Sequence, residues 1–124
     1  MVQPRSVLTV ADNSGAKKLR VILVHGGSKR KFGHIGDMIS ASVIDADSDS
    51  QLPAGSKIKA VVVRTRMPIR RSDGSRLRFD DNAAVVLESA ISNNPVGTRI
   101  FGPIAREIRD LGYAKIASLA EEVL

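Results

Sequence analysis

Apolar and β-branched residues are grouped into short segments over the first two thirds of the chain, and each segment is bounded by Gly, Pro, Asp or Asn, which favour turns. The pattern predicts strands at Val7–Ala11, Leu19–His25, Met38–Ile44, Ile58–Val63 and Ala83–Leu87. Strands at such short spacing predict a mainly β fold, a small closed five-stranded β-barrel, because closure removes the exposed edges of an open sheet.

A two-stranded β-ribbon is predicted to protrude between the last two of these strands. The fourth strand continues through Arg64–Arg66, and the chain returns through Arg76–Phe79. Ser72–Ser75 lies between them and contains Asp73 and Gly74, a hairpin-type turn in which Gly can adopt a positive φ. The ribbon is therefore expected to carry arginine side chains away from the barrel.

The apolar spacing becomes helical after Pro95 and Gly97. Pro103 can occupy the first position of a helix that Gly112 ends, and its apolar face is formed by Ile104, Ile108 and Leu111. A second short α-helix from Ala114 onward has one apolar face, formed by Ile116, Leu119, Ala120 and Val123. The chain is predicted to be one domain over residues 1–124, with the barrel over about 1–90 and a helical segment over about 100–124.

The charge is large and uneven. Nineteen Lys and Arg residues face 13 Asp and Glu residues, which gives a net charge of +6 and a pI near 10.2. One basic block runs from Lys17 to Lys31 without an acid, and a second, from Lys57 to Arg78, is opposed only by Asp73. The second block uses Arg alone from Arg64 onward, and Arg has the planar fork that suits phosphate oxygens. A polyanionic partner is expected; the simpler alternative is that Lys and Arg only solvate the strands.

No catalytic or metal-binding pattern is visible. The chain has no Cys, and its two imidazoles, His25 and His34, do not have the spacing of a metal site. Ser14 and His25 have no third partner implied by spacing, and the glycine-rich segments lack the phosphate-loop pattern. The adjacent carboxylates Asp80 and Asp81 would point to opposite faces of a strand and are expected to cap a turn. The chain is expected to be no enzyme and to hold no cofactor.

The aromatic residues constrain how RNA would be bound. Phe32, Phe79, Phe101 and Tyr113 are widely scattered, and each is expected in the core. A stacking surface for single strands is therefore missing, which favours contact of cations with the phosphates and sugars of a folded RNA. No apolar run reaches the length of a membrane span, and the first residues lack a signal-peptide pattern, so a soluble intracellular protein without a membrane partner is expected.

Several motifs occur in a fixed order along the chain. From Ala60–Val63, nine residues lead to Asp73-Gly74, four more to Phe79, two to Asn82 and two to Val85-Val86. The other motifs are Val10–Ala16, Gly26–Ser28, Gly36-Asp37, Pro95–Pro103 and Ser118–Ala120. In these motifs the chain resembles the large-subunit ribosomal protein uL14 (L14) family, of bacterial or organellar type, from about Val7 to its last residue.

This resemblance implies a five-stranded β-barrel with C-terminal helices that binds large-subunit rRNA and is a structural constituent of the large ribosomal subunit. It also implies contact with small-subunit rRNA at intersubunit bridges, ribosomal proteins L19 and L3 as neighbours, and a cytoplasmic or organellar ribosome as the location. A free-standing barrel that regulates an mRNA, a translation factor and a small hydrolase remain alternatives.

Carried over residue by residue, the resemblance implies two surfaces. The RNA-facing residues would be Asn13, Ser14, Lys17, Lys18, Ser28, Lys29, Arg30, Lys31, Arg64, Arg66, Arg70, Arg71, Arg76 and Arg78. A C-terminal patch that would dock a ribosome-silencing factor comprises Thr98, Arg99 and Lys115. The segment Ile44–Gly55 departs from the family because it is acidic; a surface loop over Asp45–Ser56, facing solvent or a basic protein neighbour, is expected there.

Overall fold

The computed structural model describes residues 2–26, 31–48, 52–88 and 94–124. In chain order, the elements in these ranges are β1 (Val7–Val10), β2 (Ala16–Val24), β3 (Met38–Ala46), β4 (Lys57–Arg64), β5 (Ile69–Arg70), β6 (Arg76–Leu77), β7 (Ala83–Leu87), β8 (Ile100–Ile104), α1 (Glu107–Asp110), α2 (Ala114–Leu119) and β9 (Ala120–Val123).

Five strands close into a barrel in the order β1-β2-β3-β4-β7. All neighbours are antiparallel except β1 and β7, which close the barrel as a parallel pair with Thr9 opposite Ala83. The predicted mainly β fold with a closed five-stranded barrel is confirmed. Closure pairs every barrel strand on both edges, so no barrel edge is left for another strand.

The hairpin of β2 and β3 is longer than its apolar segments indicate. β2 begins at Ala16, and β3 continues through Asp45 to Ala46. The ladder extends this far because Ala16 pairs with Ala46 and Lys18 with Asp45, a cross-strand pair of opposite charges. The predicted start of a loop at Asp45 is therefore wrong, and the acidic segment begins within a strand.

The core has two parts that share β4 and β7. Alternate residues of these strands, such as Val62 and Val86, point into the barrel, whereas Val61 and Val85 point outward. The outward set packs against the C-terminal segment, including Ile108. Both faces of the two strands are thus covered, which explains why each reads as a continuous apolar run instead of an alternating one.

The two predicted short C-terminal helices are present as α1 and α2, but both are shorter than predicted. Pro103 and Ile104 lie in β8, which pairs in parallel with β9, and α1 starts only at Glu107. Ile104 and Ile108 are buried as expected, but Leu111 is 58% exposed.

The helical assignment of two further residues is also wrong, since Ala120 and Val123 belong to β9. Strand pairing overrides a helical spacing that only a few positions support. The backbone N–H of Phe101 donates to the carbonyl of Ala11, 2.6 Å away, and Gly102 has a φ of +78°, which no α-helix contains.

The predicted hairpin turn at Ser72–Ser75 is confirmed, and it joins β5 and β6 as a two-stranded ribbon. Gly74 has a φ of +89°. The Asp73 carboxylate accepts hydrogen bonds from the Ser75 hydroxyl (2.6 Å) and backbone N–H (2.9 Å). These bonds stabilise the ionised form and lower the pKa of Asp73.

Arg64 is the last residue of β4 and does not belong to the ribbon, contrary to expectation. It is buried, and its Nη1 donates to the carbonyls of Phe101 (3.0 Å) and Pro103 (3.3 Å). Nη2 donates to Oδ2 of Asp81, while Nε lies 3.2 Å from Oδ1 in an ion-pair contact without hydrogen-bond geometry. Arg64 therefore joins the barrel to β8, and Asp81 serves as its counter-ion and not as the expected turn cap.

No helix within the described ranges is long and apolar enough to cross a membrane.

Gly102 lets the backbone of β8 approach the Arg64 guanidinium, since a Cβ there would collide with Nη1. We predict that Gly102→Ala lowers the free energy of unfolding in urea by about 2–4 kcal/mol, from a strained φ and the collision together. Gly74→Ala is the matched control, because its φ is also positive but no atom lies within 4 Å of the added Cβ. It should cost about 1 kcal/mol; equal costs for both variants would contradict the collision.

Candidate nucleic-acid interface

The ribbon presents arginine side chains to solvent. Arg70 and Arg76 lie in its strands, Arg66 and Arg78 lie in the segments that connect it to β4 and β7, and all four are exposed. Arg66 is partly fixed, because its Nε donates to the carbonyl of Asp80 at 2.9 Å. Within the described part of the chain, the other three form no ion pair or side-chain hydrogen bond. Their guanidinium groups retain their donors for an external ligand.

Arg70 and Arg76 lie directly opposite each other in the ribbon. Side chains of directly paired residues share one face, and like charges in this arrangement destabilise the pair. The ribbon ladder has only two residue pairs, and backbone hydrogen bonds from Arg71 to Ser75 (2.9 Å) and from Phe79 to Thr65 (3.1 Å) join its two sides beyond the ladder. An anion bound between the two guanidinium groups would remove the repulsion and would accept hydrogen bonds from both.

Arg71 is half-buried and bound to a carboxylate of its own chain. Its Nε donates to Oε1 of Glu107 (2.9 Å), and its Nη2 is 3.4 Å from Oε2, a two-point contact between the ribbon and α1. The Arg71 side chain is only 17% exposed, so water screens this pair less than a fully exposed one. The predicted RNA-facing role fits Arg71 less well than its neighbours; its contact restrains the ribbon against α1.

The turn after β1 depends on a buried carboxylate. Oδ1 of Asp12 accepts from the hydroxyl (2.6 Å) and backbone N–H (3.1 Å) of Ser14, and Oδ2 accepts from the backbone N–H of Val86 (3.0 Å). Burial outweighs these bonds and raises the pKa of Asp12 above its ordinary value. The Ser14 hydroxyl thus stabilises the turn through its hydrogen bond to Asp12.

Asn13 connects two sites that the sequence treats as separate. Its Oδ1 accepts from the backbone N–H groups of Thr98 (2.8 Å) and Arg99 (3.1 Å), and its Nδ2 donates to the Thr98 hydroxyl (3.0 Å). The turn predicted to face RNA and the patch predicted to dock a protein therefore form one surface. Lys115, the third residue of that patch, is exposed on a different element, α2.

The acidic segment lies against the lysines at the start of β2. Nζ of Lys17 is 3.2 Å from Oδ1 of Asp47, and Lys18 pairs in register with Asp45. Both side chains of the first pair are 59% exposed, so the contact contributes little stability. It does reduce the positive charge at this corner. Asp47 faces a lysine of its own chain, and not only solvent or a protein neighbour as expected.

The structure describes only part of the rest of the first basic block. Ser28, Lys29 and Arg30 lie outside the described residues, as does Asp49 of the acidic segment. Lys31 is described and exposed.

The aromatic residues divide evenly between core and surface. Phe79 and Tyr113 are buried, as predicted, and burial raises the pKa of Tyr113. Phe32 and Phe101 are each 46% exposed, so their predicted place in the core is wrong. Phe101 is exposed because its alternate neighbour in β8, Ile100, takes the inward position.

Strand register brings together a serine, a histidine and a lysine that sequence reasoning did not connect. Oγ of Ser40 lies 2.7 Å from Nε2 of His25 and accepts from Nζ of Lys59 at 2.6 Å. The Ser40 hydroxyl therefore joins the His25 ring to the Lys59 ammonium. Ser14, the serine considered with His25 from the sequence, instead bonds to Asp12.

Metal-ligating side chains do not gather into a site: in the ranges that the structure describes, no group of three or more His, Cys, Asp or Glu residues could hold an ion. The described part of the chain therefore contributes a basic ribbon, a shaped polar turn and a rigid barrel, an arrangement suited to binding anions.

The family model of ribosomal protein L14p/L23e matches residues 1–124, the whole of the chain. The family resemblance inferred from the ordered motifs is confirmed.

The raised pKa of Asp12 has a consequence for stability. The folded state binds a proton more readily than the unfolded state at pH values above 3.8, so the stability that Asp12 contributes falls as pH rises through this window. Asp12→Asn removes the titration. We predict that the parent's free energy of unfolding minus the variant's, measured by urea unfolding, is largest near about pH 4 and decreases toward about pH 7. A difference that widens with pH would show that the hydrogen bonds outweigh burial.

Proposed function

Because the chain belongs to the ribosomal protein L14p/L23e family, whose members are structural proteins of the large ribosomal subunit, we propose that it binds large-subunit rRNA through the arginine ribbon and adjoining basic residues. The same basic faces contribute to intersubunit bridges with small-subunit rRNA. The protein performs no reaction; it holds RNA segments in place.

The opposed pair Arg70 and Arg76 is the observation that supports this proposal most strongly. A like-charged pair in a short ribbon is unfavourable for the free protein and becomes favourable against a phosphate chain. Arg78 extends the same exposed guanidinium surface. With Phe79 buried and no described row of exposed aromatics on the ribbon, contact with phosphate and sugar is favoured over stacking on bases.

A stiff scaffold makes these contacts effective. Arg71 restrains the ribbon against α1, and Arg64 restrains the base of the ribbon against β8. Less conformational entropy is then lost when RNA binds. Neutralising phosphates on converging RNA segments lowers the repulsion that opposes their packing.

The proposed RNA-facing set follows from exposure together with the family pattern. It comprises Lys17, Lys18, Lys31, Arg66, Arg70, Arg76 and Arg78 among the described residues, and Ser28, Lys29 and Arg30 by the family pattern alone. Asn13 and Ser14 shape the adjoining turn, whereas Arg64 and Arg71 position the ribbon.

We further propose that Thr98, Arg99 and Lys115 form the protein-docking patch for a ribosome-silencing factor. Thr98 and Arg99 are exposed, and Asn13 holds their backbone. Ribosomal proteins L19 and L3 are the proposed neighbours, and the proposed location is a cytoplasmic or organellar ribosome.

Co-sedimentation tests the assignment. The tagged chain, expressed in its host, should remain with large subunits in a sucrose gradient after a wash at about 0.5 M salt, where weakly bound cationic proteins dissociate. Recovery at the top of the gradient would contradict a structural role and favour a free-standing mRNA-binding barrel.

The ribbon's contribution is measured by the salt dependence of binding to large-subunit rRNA. The double variant Arg70→Ala with Arg76→Ala should weaken the salt dependence. The magnitude of the negative slope of log K against log salt should fall by about 1.5, since each phosphate contact contributes about 0.7–0.9. Arg5→Ala with Arg109→Ala is the matched control: it removes two exposed arginines that lie outside the proposed set. The control should leave the slope nearly unchanged, and an equal loss in both variants would mean that only net charge matters.

A further inference from the structure

Two consecutive apolar side chains on β2 face away from the barrel core. Ile22 is 47% exposed and Leu23 is 51% exposed. In a regular strand, one of two neighbours would point inward. The β2–β3 ladder shifts register between Val21 and Leu23, and this irregularity places both side chains on the outer surface.

These side chains border an apolar groove on the barrel wall. The groove has a volume of about 450 Å³ and is bordered by residues of β2, β3, β4 and β7 together with Leu52 and Val96. Its half-buried apolar residues include Ile58 and Val96. Scattered surface leucines need no explanation, but exposed apolar residues gathered around a concave surface mark an interaction site.

One rim of the groove is cationic and ordered. Lys57 and Lys59 both line it, and Nζ of Lys59 is fixed by its 2.6 Å hydrogen bond to Ser40. Ser40 pairs in register with Leu23 on one side and with Lys59 on the other, so the fixed ammonium stands one strand away from the exposed apolar pair. Glu88 is the single acid bordering the described groove, which leaves an excess of positive charge.

We propose that this groove receives a segment of a neighbouring protein, which places an apolar side chain against Ile22 and Leu23 and a carboxylate on Lys59. The proposal rests on the proposed function, since the assembled large subunit supplies the neighbour. A protein segment fits better than RNA, because a hydrated sugar-phosphate chain would leave the two apolar side chains without an apolar partner. The excess positive charge selects an acidic segment.

A zero-length cross-link tests the ion pair directly. In large subunits that contain the chain, a carbodiimide should join Nζ of Lys59 to an Asp or Glu carboxylate of another protein, identified by mass spectrometry of the linked peptides. Lys59→Arg is the matched control: it keeps the charge, lacks the amine and should abolish the product. A subunit in which Lys59 yields no link to a protein carboxylate would overturn the proposal.

Thiol protection tests the apolar half of the groove, because the chain has no native Cys. Leu23→Cys should react with N-ethylmaleimide at least tenfold more slowly in the assembled subunit than in the free chain. Equal rates would overturn the proposal. Co-sedimentation of the parent chain distinguishes failure of the proposed function from failure of the docking groove. If the parent chain does not sediment with large subunits, the proposed function is wrong. If it does, and the Leu23→Cys variant still reacts at the rate of the free chain, only the docking groove is wrong.

Discussion

The burial of both faces of β4 and β7 is the constraint on which the rest of the structure depends. Their inward residues close the barrel core, and their outward residues, such as Val61 and Val85, hold the C-terminal segment. The ribbon, β5 and β6, lies between these same two strands in the sequence. Both ends of the ribbon are therefore anchored in doubly covered strands, and α1 lies close enough for Arg71 to reach Glu107.

Arginine serves three different purposes within this short region. Arg64 is buried and hydrogen-bonded to two carbonyls of β8, Arg71 pairs with a carboxylate, and Arg70 with Arg76 is left exposed and opposed. Burial of Arg64 has a cost, because its Nε makes no hydrogen bond, and the Arg70–Arg76 pair has a cost because like charges face each other. The repulsion between Arg70 and Arg76 is the cost that an anionic partner would relieve, and Arg64 and Arg71 restrain the ribbon on which that pair lies.

The barrel could be predicted from the sequence because its strands are rich in β-branched residues and bounded by turn residues. β8 could not, because Pro103, Ile104 and Ile108 also fit a helix, and the extended form depends on distant partners such as Ala11. The sequence shows which residues are charged, but it does not show which of them are exposed at the interface. Nothing local distinguishes buried Arg64 from exposed Arg66, and the contact of Asn13 with Thr98 spans 85 residues. The shared motifs order these segments along the chain but carry no information about which side chains meet.

A density map of the large subunit that contains this chain tests the central claim most directly. The account predicts the guanidinium groups of Arg70, Arg76 and Arg78 within hydrogen-bond distance, about 2.7–3.0 Å, of RNA phosphate oxygens. A map in which the ribbon extends into solvent, with no RNA backbone near these arginines, would contradict it.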